Sequence, residues 1–363
     1  KCSPLKLFNG HAKYSLLFRL LIVHALIGMR KLREVDLYRE DPMVKRVLGV
    51  QALPSVATMS RLLDRCDQRS TEGLQQQSRD LVLQRLGSES LATVTLDFDG
   101  SVISTTRKAE GVATGYNKKK GMRSYYPLFC TVAPTGQFLD FHHRPGNSHD
   151  RNGALEFMMD CFDHVRNTCP QAVLESRMDS AFFDREILNL MDLYGVGCTI
   201  SVPFERLPVL KQMIEDRRRW KRIDGWYSYF ESDWQPKSWH GRYRFLFIRQ
   251  RVRRQTKGAL QLDLFRPSDF DYDYRVLVTN KRESARHVVC FHHGRGSQEA
   301  LFGQARQHTG LDLIPTRRLH GNQVVTLCAM IAHNLGRQIQ MLAAPRDNYA
   351  RAKRPAAWTF QTL

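Results

Sequence analysis

From residue 12 to about residue 88, apolar residues recur at spacings of three and four with few β-branched runs, which predicts a helical N-terminal region. Its most apolar run, YSLLFRLLIVHALIGM, contains Arg19 and His24; it is too short and interrupted to span a bilayer and predicts a buried helix. Further along, LPSVATMSRLLDRC sets Pro54 and Ser55 ahead of a short helix carrying Thr58, Ser60, Arg61 and Arg65. That helix suits either the recognition helix of a helix-turn-helix, with Arg61 on DNA, or a small capped member of a helical bundle. At residue 92 the period changes. ATVTLDFDGSVIS alternates and is rich in Val, Ile and Thr, so it predicts a strand. YYPLFCTVAPTGQFLDFHHR predicts two more strands joined by a turn at residues 134–136. Then come a helix over about residues 150–167, a buried strand in QAVLESRMD, a helix in AFFDREILNLMDLYG and a strand in VGCTISV.

Three antiparallel strands followed by strand and helix in alternation outline an RNase H-like α/β domain. The alternation stops near residue 203. Residues 203–287 open with the basic stretch EDRRRWKR, read as a helix, and continue with strand-like segments such as GRYRFLFIRQRVRR and YDYRVLVTN. Helices return with HHGRGSQEALFGQAR and with GNQVVTLCAMIAHNLGRQIQML, whose apolar face reads as core. The expected class is therefore α/β, an RNase H-like mixed sheet with flanking helices, an N-terminal helical domain and a β-rich insertion. The expected organisation is a helical DNA-binding domain over 1–88, a catalytic core over 89–202 and 288–345, the insertion over 203–287, and a basic tail over 346–363. No internal repeat or low-complexity tract is visible.

Composition adds a partner. The 363 residues, 42% of them hydrophobic, are enough for a real core, and 55 Lys and Arg against 36 Asp and Glu leave a net charge of +19. An excess of that size points to a polyanion, with nucleic acid the first candidate. The eight cysteines form no CxxC pair, and several lie in apolar runs, which reads as reduced, buried thiols in a cytoplasmic protein. No secretory signal is visible, although the chain opens on Lys and so leaves room for residues before it.

Three acidic positions fall where the elements converge. Asp97 and Asp99 are two apart on the first strand and so share a face. Asp179 ends the strand QAVLESRMD, at the carboxyl edge where such strands open onto a site. Glu299 lies on the helix after the insertion. Three carboxylates brought together repel one another unless compensated. A hard divalent cation resolves this, since Mg²⁺ takes carboxylate oxygen and water and bridges to phosphates. Two such ions roughly 3.5–4 Å apart activate an attacking hydroxyl and stabilise the leaving oxygen in an in-line displacement at phosphorus.

HHGRGSQEALFGQAR fits that chemistry. On one regular helix, at about 100° per residue, Glu299 lies roughly 40° from Arg295, Arg306 roughly 20° and His292 roughly 60°, all to the same side. All four then share a face, away from Leu301 and Ala305. A Glu four residues from an Arg is also an ordinary solvated helix face. Beside a carboxylate metal site, however, Arg295 and Arg306 would hold phosphate oxygens.

The spacing His292-x2-Arg295-x3-Glu299-x6-Arg306 resembles the Tyr-x2-Arg-x3-Glu-x6-Lys signature of bacterial insertion-sequence transposases of the DDE class, with His for Tyr and Arg for Lys. LDFDGSV is similar to the family's first-Asp strand, SRMDSAFF to its second-Asp segment, and YYPL and RPGN to the strand and turn between them. The family's β-strand insertion also lies between the second Asp and the Glu. The resemblance covers almost the whole chain and is least specific in the N-terminal helices. It implies a catalytic triad of Asp99, Asp179 and Glu299, with Asp97 the other candidate for the first ligand, and two Mg²⁺ ions, or Mn²⁺ in their place. It implies phosphate or DNA contacts at His292, Arg295, Arg306, Arg144 and Asn147. The implied reaction is hydrolysis at a transposon end, followed by attack of the freed 3′-hydroxyl on target DNA. Double-stranded DNA, namely terminal inverted repeats and target, is the implied partner, bound by a homodimer in the bacterial nucleoid. The alternatives are a nuclease that cuts without joining and an inactive DNA-binding regulator.

Two further DNA-binding candidates come from the residues themselves. GYNKKKGMR sets Lys118, Lys119, Lys120 and Arg123 in one loop, which is either a phosphate contact or a solvated hairpin loop. The insertion carries Trp220, Trp226, Trp234 and Trp239 among Arg217, Arg218, Arg219, Lys221, Arg222 and Lys237. An aromatic among cations stacks an unpaired base, and the same residues also make a small core. Trp234 and Trp239 are favoured for stacking because Pro236 and Gly241 make their segment loop-like.

Overall fold

The computed structural model describes residues 12–115, 122–149, 151–239, 243–252 and 272–343. Lys118, Lys119, Lys120 and the basic tail lie outside the described residues. The N-terminal region forms α1 (Ala12–Leu26), a short 3-10 turn (Leu32–Tyr38), α2 (Pro42–Leu48), α3 (Val56–Arg65) and α4 (Gln68–Glu89). The starts of α2, α3 and α4 are set by Asp41, Ser55 and Asp67, whose side chains accept from first-turn amides. As expected, Ser55 caps α3, which buries Met59, Leu62 and Leu63 and leaves Ser60, Arg61 and Arg65 exposed.

The strands are β1 (Thr93–Gly100), β2 (Ile103–Thr105), β3 (Arg123–Tyr125), β4 (Leu128–Val132) and β5 (Gln137–His142). After α5 (Ala154–Thr168), β6 (Val173–Met178), α6 (Arg185–Leu193) and β7 (Gly197–Val202) complete the alternation. β4 is antiparallel to β1 and to β5, while β6 is parallel to β1 and to β7. An antiparallel meander followed by parallel strands on the other side of β1 is the RNase H-like arrangement.

The insertion extends this sheet. After α7 (Pro208–Glu215), the strands β8 (Lys221–Arg222), β9 (Tyr227–Ser232), β10 (Arg244–Arg251) and β11 (Tyr272–Thr279) add to the edge at β7. The nine-stranded order is β5-β4-β1-β6-β7-β11-β10-β9-β8. The basic helix expected in EDRRRWKR does not form, because α7 ends at Glu215 and Arg217 to Trp220 run without regular structure. That path turns Trp220 edge-on to Phe230 at 4.8 Å, with Arg217 over the same Phe230 ring. A helix of consecutive arginines has no apolar stripe to bury; the irregular segment buries its one indole.

Helices cover both faces of the sheet. Val94, Leu96 and Phe98 of β1 point to one side, with Phe157 and Phe162 of α5 and Ile187 and Met191 of α6. Phe129, Phe138 and Phe141 point to the other, into a core shared by α1, α3 and the C-terminal α10 (Leu319–Ala343). The N-terminal helices and α10 thus share one core. Between β11 and α10 lie α8 (Ala285–His293), α9 (Gly296–Gln304) and a π-helical turn (Ala305–Thr309). Among the described residues no helix is long and apolar enough to cross a membrane.

α10 also closes the free edge of β5. The fully buried Asn334 accepts from the Phe138 amide and donates to the Phe138 carbonyl, both at 2.8 Å, as a neighbouring strand would. Asn334→Leu leaves both backbone groups buried and unpaired, at about 1–3 kcal/mol each. Denaturant unfolding should therefore show a midpoint well below that of the parent with an unchanged slope.

Candidate active site

β1 and β6 are parallel neighbours, so their carboxyl ends open at the same edge of the sheet. Asp99 stands at the end of β1, and Asp179 is the residue just past β6, where its side chain accepts from the Ala181 amide at 3.0 Å. Between them reaches Arg295, whose Nη2 lies 3.0 Å from Asp99 Oδ2 and 3.8 Å from Asp179 Oδ2. Glu299 is exposed on α9, one turn beyond Arg295. Burial pushes the Asp99 carboxyl up to about 7; the charges of Asp179 and Glu299 add to the rise, and Arg295 opposes it. Asp99, at the end of β1, therefore feels the charges of Asp179, just past β6, and of Glu299 on α9.

Their donor chemistry fits a hard divalent cation, since every oxygen offered is a carboxylate oxygen. Among the described residues, no group of three or more His, Cys, Asp and Glu is drawn close enough to hold a metal as it stands. A guanidinium, the other cation suited to bridging two carboxylates, lies between Asp99 and Asp179 here. Asp97 is placed differently. It is 1% exposed, and both its oxygens accept from Arg177, at 2.7 Å from Nε and 2.6 Å from Nη2. Burial pushes its carboxyl up against the pull of Arg177. A carboxylate so enclosed has no oxygen facing the edge where Asp99 and Asp179 meet.

The segment from His292 to Arg306 is not one regular helix. It breaks at Gly294 and Arg295 between α8 and α9, then widens into the π turn that carries Arg306. His292 consequently does not share the face with Arg295 and Glu299. It is buried, with Nδ1 3.0 Å from Thr199 Oγ1 and Nε2 3.0 Å from Ser201 Oγ, both on β7. Burial, helped by the charge of Arg295, lowers its pKa to about 3, so the ring is neutral and a phosphate has no access to it. Arg306 remains exposed, and its Nη2 donates to Ser101 Oγ at 2.6 Å, just past the end of β1. Two arginines therefore flank the carboxylates, Arg295 from within and Arg306 from the rim.

The remaining expected DNA contacts divide by burial. Arg61, Arg123 and Asn147 are exposed. Arg144 is only 2% exposed and organises its loop, donating to the carbonyls of Tyr126, His149 and Asn152 at 3.0–3.2 Å. Trp234 and Trp239 lie in the irregular segment between β9 and β10, as expected, but both are packed against other rings. Trp239 is 9% exposed and packs 4.8 Å from Phe183, and Trp234 sits edge-on to Phe245 at 5.2 Å. Trp226, in the turn between β8 and β9, is 47% exposed instead. Sequence reasoning missed Arg177 and Gln298. A charged residue inside an otherwise apolar strand, two before Asp179, was the signal available for the first.

The raised Asp99 carboxyl makes a stability prediction. A folded-state pKa above the unfolded value contributes stability that is complete below about pH 4 and lost as pH rises through about 7. With divalent ions chelated, Asp99→Asn should melt above the parent at pH 8, and the gap should close by pH 4 in thermal scans.

Residues 9–357 match the family described as Transposase DDE domain group 1. Among solved structures, the cryo-EM structure of a piggyBac transposase synaptic complex with hairpin DNA is similar at 12% identity and TM-score 0.49, covering 94% of this chain and 69% of that chain. A Mos1 transposase paired-end complex with left transposon end is similar at 10% identity and TM-score 0.23, covering 45% of this chain and 56% of that one. No curated protein matches the chain. The family match takes in β1, β6 and α9, the elements on or beside which Asp99, Asp179 and Glu299 stand, and the chain belongs to the DDE transposases of group 1.

Proposed function

We propose that the protein cuts the ends of a DNA transposon and joins the freed 3′-hydroxyl to a target strand, with Asp99, Asp179 and Glu299 as the catalytic carboxylates. The observation that carries this reading is Arg295 lying between Asp99 and Asp179 at the carboxyl edge of β1 and β6, with the charge of Glu299 felt at Asp99. Asp99 and Asp179, with Glu299 across from them, would hold two Mg²⁺ or Mn²⁺ ions. When bound, such ions activate an attacking hydroxyl and stabilise the leaving oxygen. The chain's own side chains bind and orient. Arg295 and Arg306 present planar donor forks suited to phosphate oxygens on either side of the carboxylates. Water attacks phosphorus at the transposon end, the bond to the 3′ oxygen breaks, and that oxygen leaves as the 3′-hydroxyl. The hydroxyl then attacks a target phosphorus in the same geometry, with no bond to the enzyme in either step.

Double-stranded DNA is the partner, met by the exposed Arg61, Arg123 and Asn147 and by the basic surface of the insertion, and a homodimer pairs the two ends. A strand-transfer assay on a labelled transposon end separates this reading from a nuclease that only cuts and from an inactive regulator. Asp99→Ala, Asp179→Ala and Glu299→Ala should each abolish cleavage while leaving DNA affinity within about 1 kcal/mol, because carboxylates that hold ions do not hold the duplex. Cleavage retained by any of the three removes that residue from the set.

Trp226 takes the stacking role first assigned to Trp234 and Trp239. Its side chain is exposed, four residues after Arg222 in the chain, and base stacking on an aromatic contributes about 1–3 kcal/mol. Trp226→Ala should fold normally and lose far more activity on an intact duplex end than on one with an unpaired base at the cut. Trp239→Ala should instead lower the melting temperature. Equal losses on both DNA substrates would end the stacking idea.

A further inference from the structure

One row of side chains crosses the sheet on the face that α8 and α9 cover. Thr131 on β4 is paired in register with Asp97 on β1, Asp97 with Arg177 on β6, and Arg177 with Thr199 on β7. All four are buried. Asp97 and Arg177 each lie two residues before Asp99 and Asp179, so the row runs one step behind the carboxylate edge, on the same face.

The α8–α9 segment touches this row at three successive places. His292 meets Thr199 through Nδ1 at 3.0 Å. Arg177 Nη1 donates to the carbonyl of Phe291 at 3.2 Å, and the guanidinium lies over the Phe291 ring at 5.4 Å. Gln298, 2% exposed, donates through Nε2 to the Asp97 carbonyl at 2.9 Å and to Thr131 Oγ1 at 3.0 Å. Gly294, at the break between the helices, sits so close that a Cβ there would lie 1.9 Å from Arg177 Nη1. Arg295 and Glu299 are the next residues after Gly294 and Gln298 respectively.

From this we infer that Asp97, Arg177, Gln298 and His292 are positioning residues, a buried polar seat that sets the height and rotation of the α8–α9 joint. The seat thereby places Arg295 and Glu299 against Asp99 and Asp179. The inference rests on the reading of the carboxylates proposed above, and it assigns Asp97 a role other than metal ligand. The chemistry of the seat explains why it holds one geometry. A bidentate arginine–carboxylate pair accepts only a narrow range of approach. A buried polar network tied to both sides restrains what it joins, here with Gln298 Oε1 left without a partner among the described residues. Apolar packing alone would let the joint slide along the sheet.

Removing one partner of a buried ion pair strands a charge, so the test replaces both. Asp97→Leu with Arg177→Met exchanges the pair for apolar side chains of similar bulk, a change that buried pairs often tolerate. Gln298→Met removes the second tie alone, and carries the test if the double variant fails to fold. Two readouts are taken on the full chain, amide hydrogen exchange over residues 285–304 without DNA, and the kcat and KM of end cleavage with Mg²⁺. We expect exchange at the joint to rise while the β-sheet stays protected, kcat to fall about 100-fold, as for a misplacement of about 1 Å, and KM for DNA to hold. Exchange at the parental level in the folded variants overturns the seat, whether or not the parent cuts DNA. A loosened joint with parental kcat overturns its role in positioning. If the parent cuts no DNA, the proposed function fails and the exchange result alone judges the seat.

Discussion

The ion pair between Asp97 and Arg177 joins the two strands on which the site depends. It lies in the middle of the sheet, where the partners are 1% and 7% exposed, and each is directly opposite the other in a parallel register. Two charges in such a place are costly unless their hydrogen bonds are complete. Arg177 completes its set on the Phe291 carbonyl, and Gln298 reaches the Asp97 carbonyl. The cost of burying the pair is thus offset only when the last helices lie in one position on the sheet. The same alternation of strand side chains that turns these two inward brings Asp99 and Asp179 to the edge beyond them.

The rest of the fold holds that arrangement from outside. The α5 and α6 side buries Phe98 between Asp97 and Asp99, which fixes the face both carboxylates take. The opposite side is filled by α1, α3 and α10 around Phe129, Phe138 and Phe141. Arg30, in the loop after α1, donates to the Arg306 carbonyl at 2.5 Å and pairs with Asp312 at 2.8 Å. The N-terminal helices therefore bear on the end of the site's own helix.

Continuity of the sheet gives the insertion a mechanical place. Its strands pair with β7, the strand whose Thr199 and Ser201 hold His292. Leu246, Ile248 and Leu277 of the added strands pack on Val288 and Val289 of α8. The insertion thus supports the first half of the α8–α9 joint while the original sheet supports the second.

Alternation and composition made much of this protein legible. The RNase H-like order, the strand ends at Asp99 and Asp179 and the Ser55 cap follow from local period and spacing, because β-strands and caps are decided by near neighbours; the pairing of Arg295 with Asp99, 196 residues away, does not. The family resemblance pointed to the same residues. What the sequence could not decide was which side of an element faced a partner far away in the chain. Asp97 and Asp99 share a face, yet only the approach of Arg177, 80 residues on, buries one and leaves the other at the edge. A regular helix would align His292 with Glu299, but the helix breaks at Gly294 and Arg295, and the histidine is bonded to β7. Arg144 and the two tryptophans of the loop-like segment read as surface, and long-range packing made Arg144 and Trp239 interior and half-buried Trp234. Local sequence sets the period of each element; the depth at which a polar or aromatic side chain ends up depends on what the whole fold brings over it.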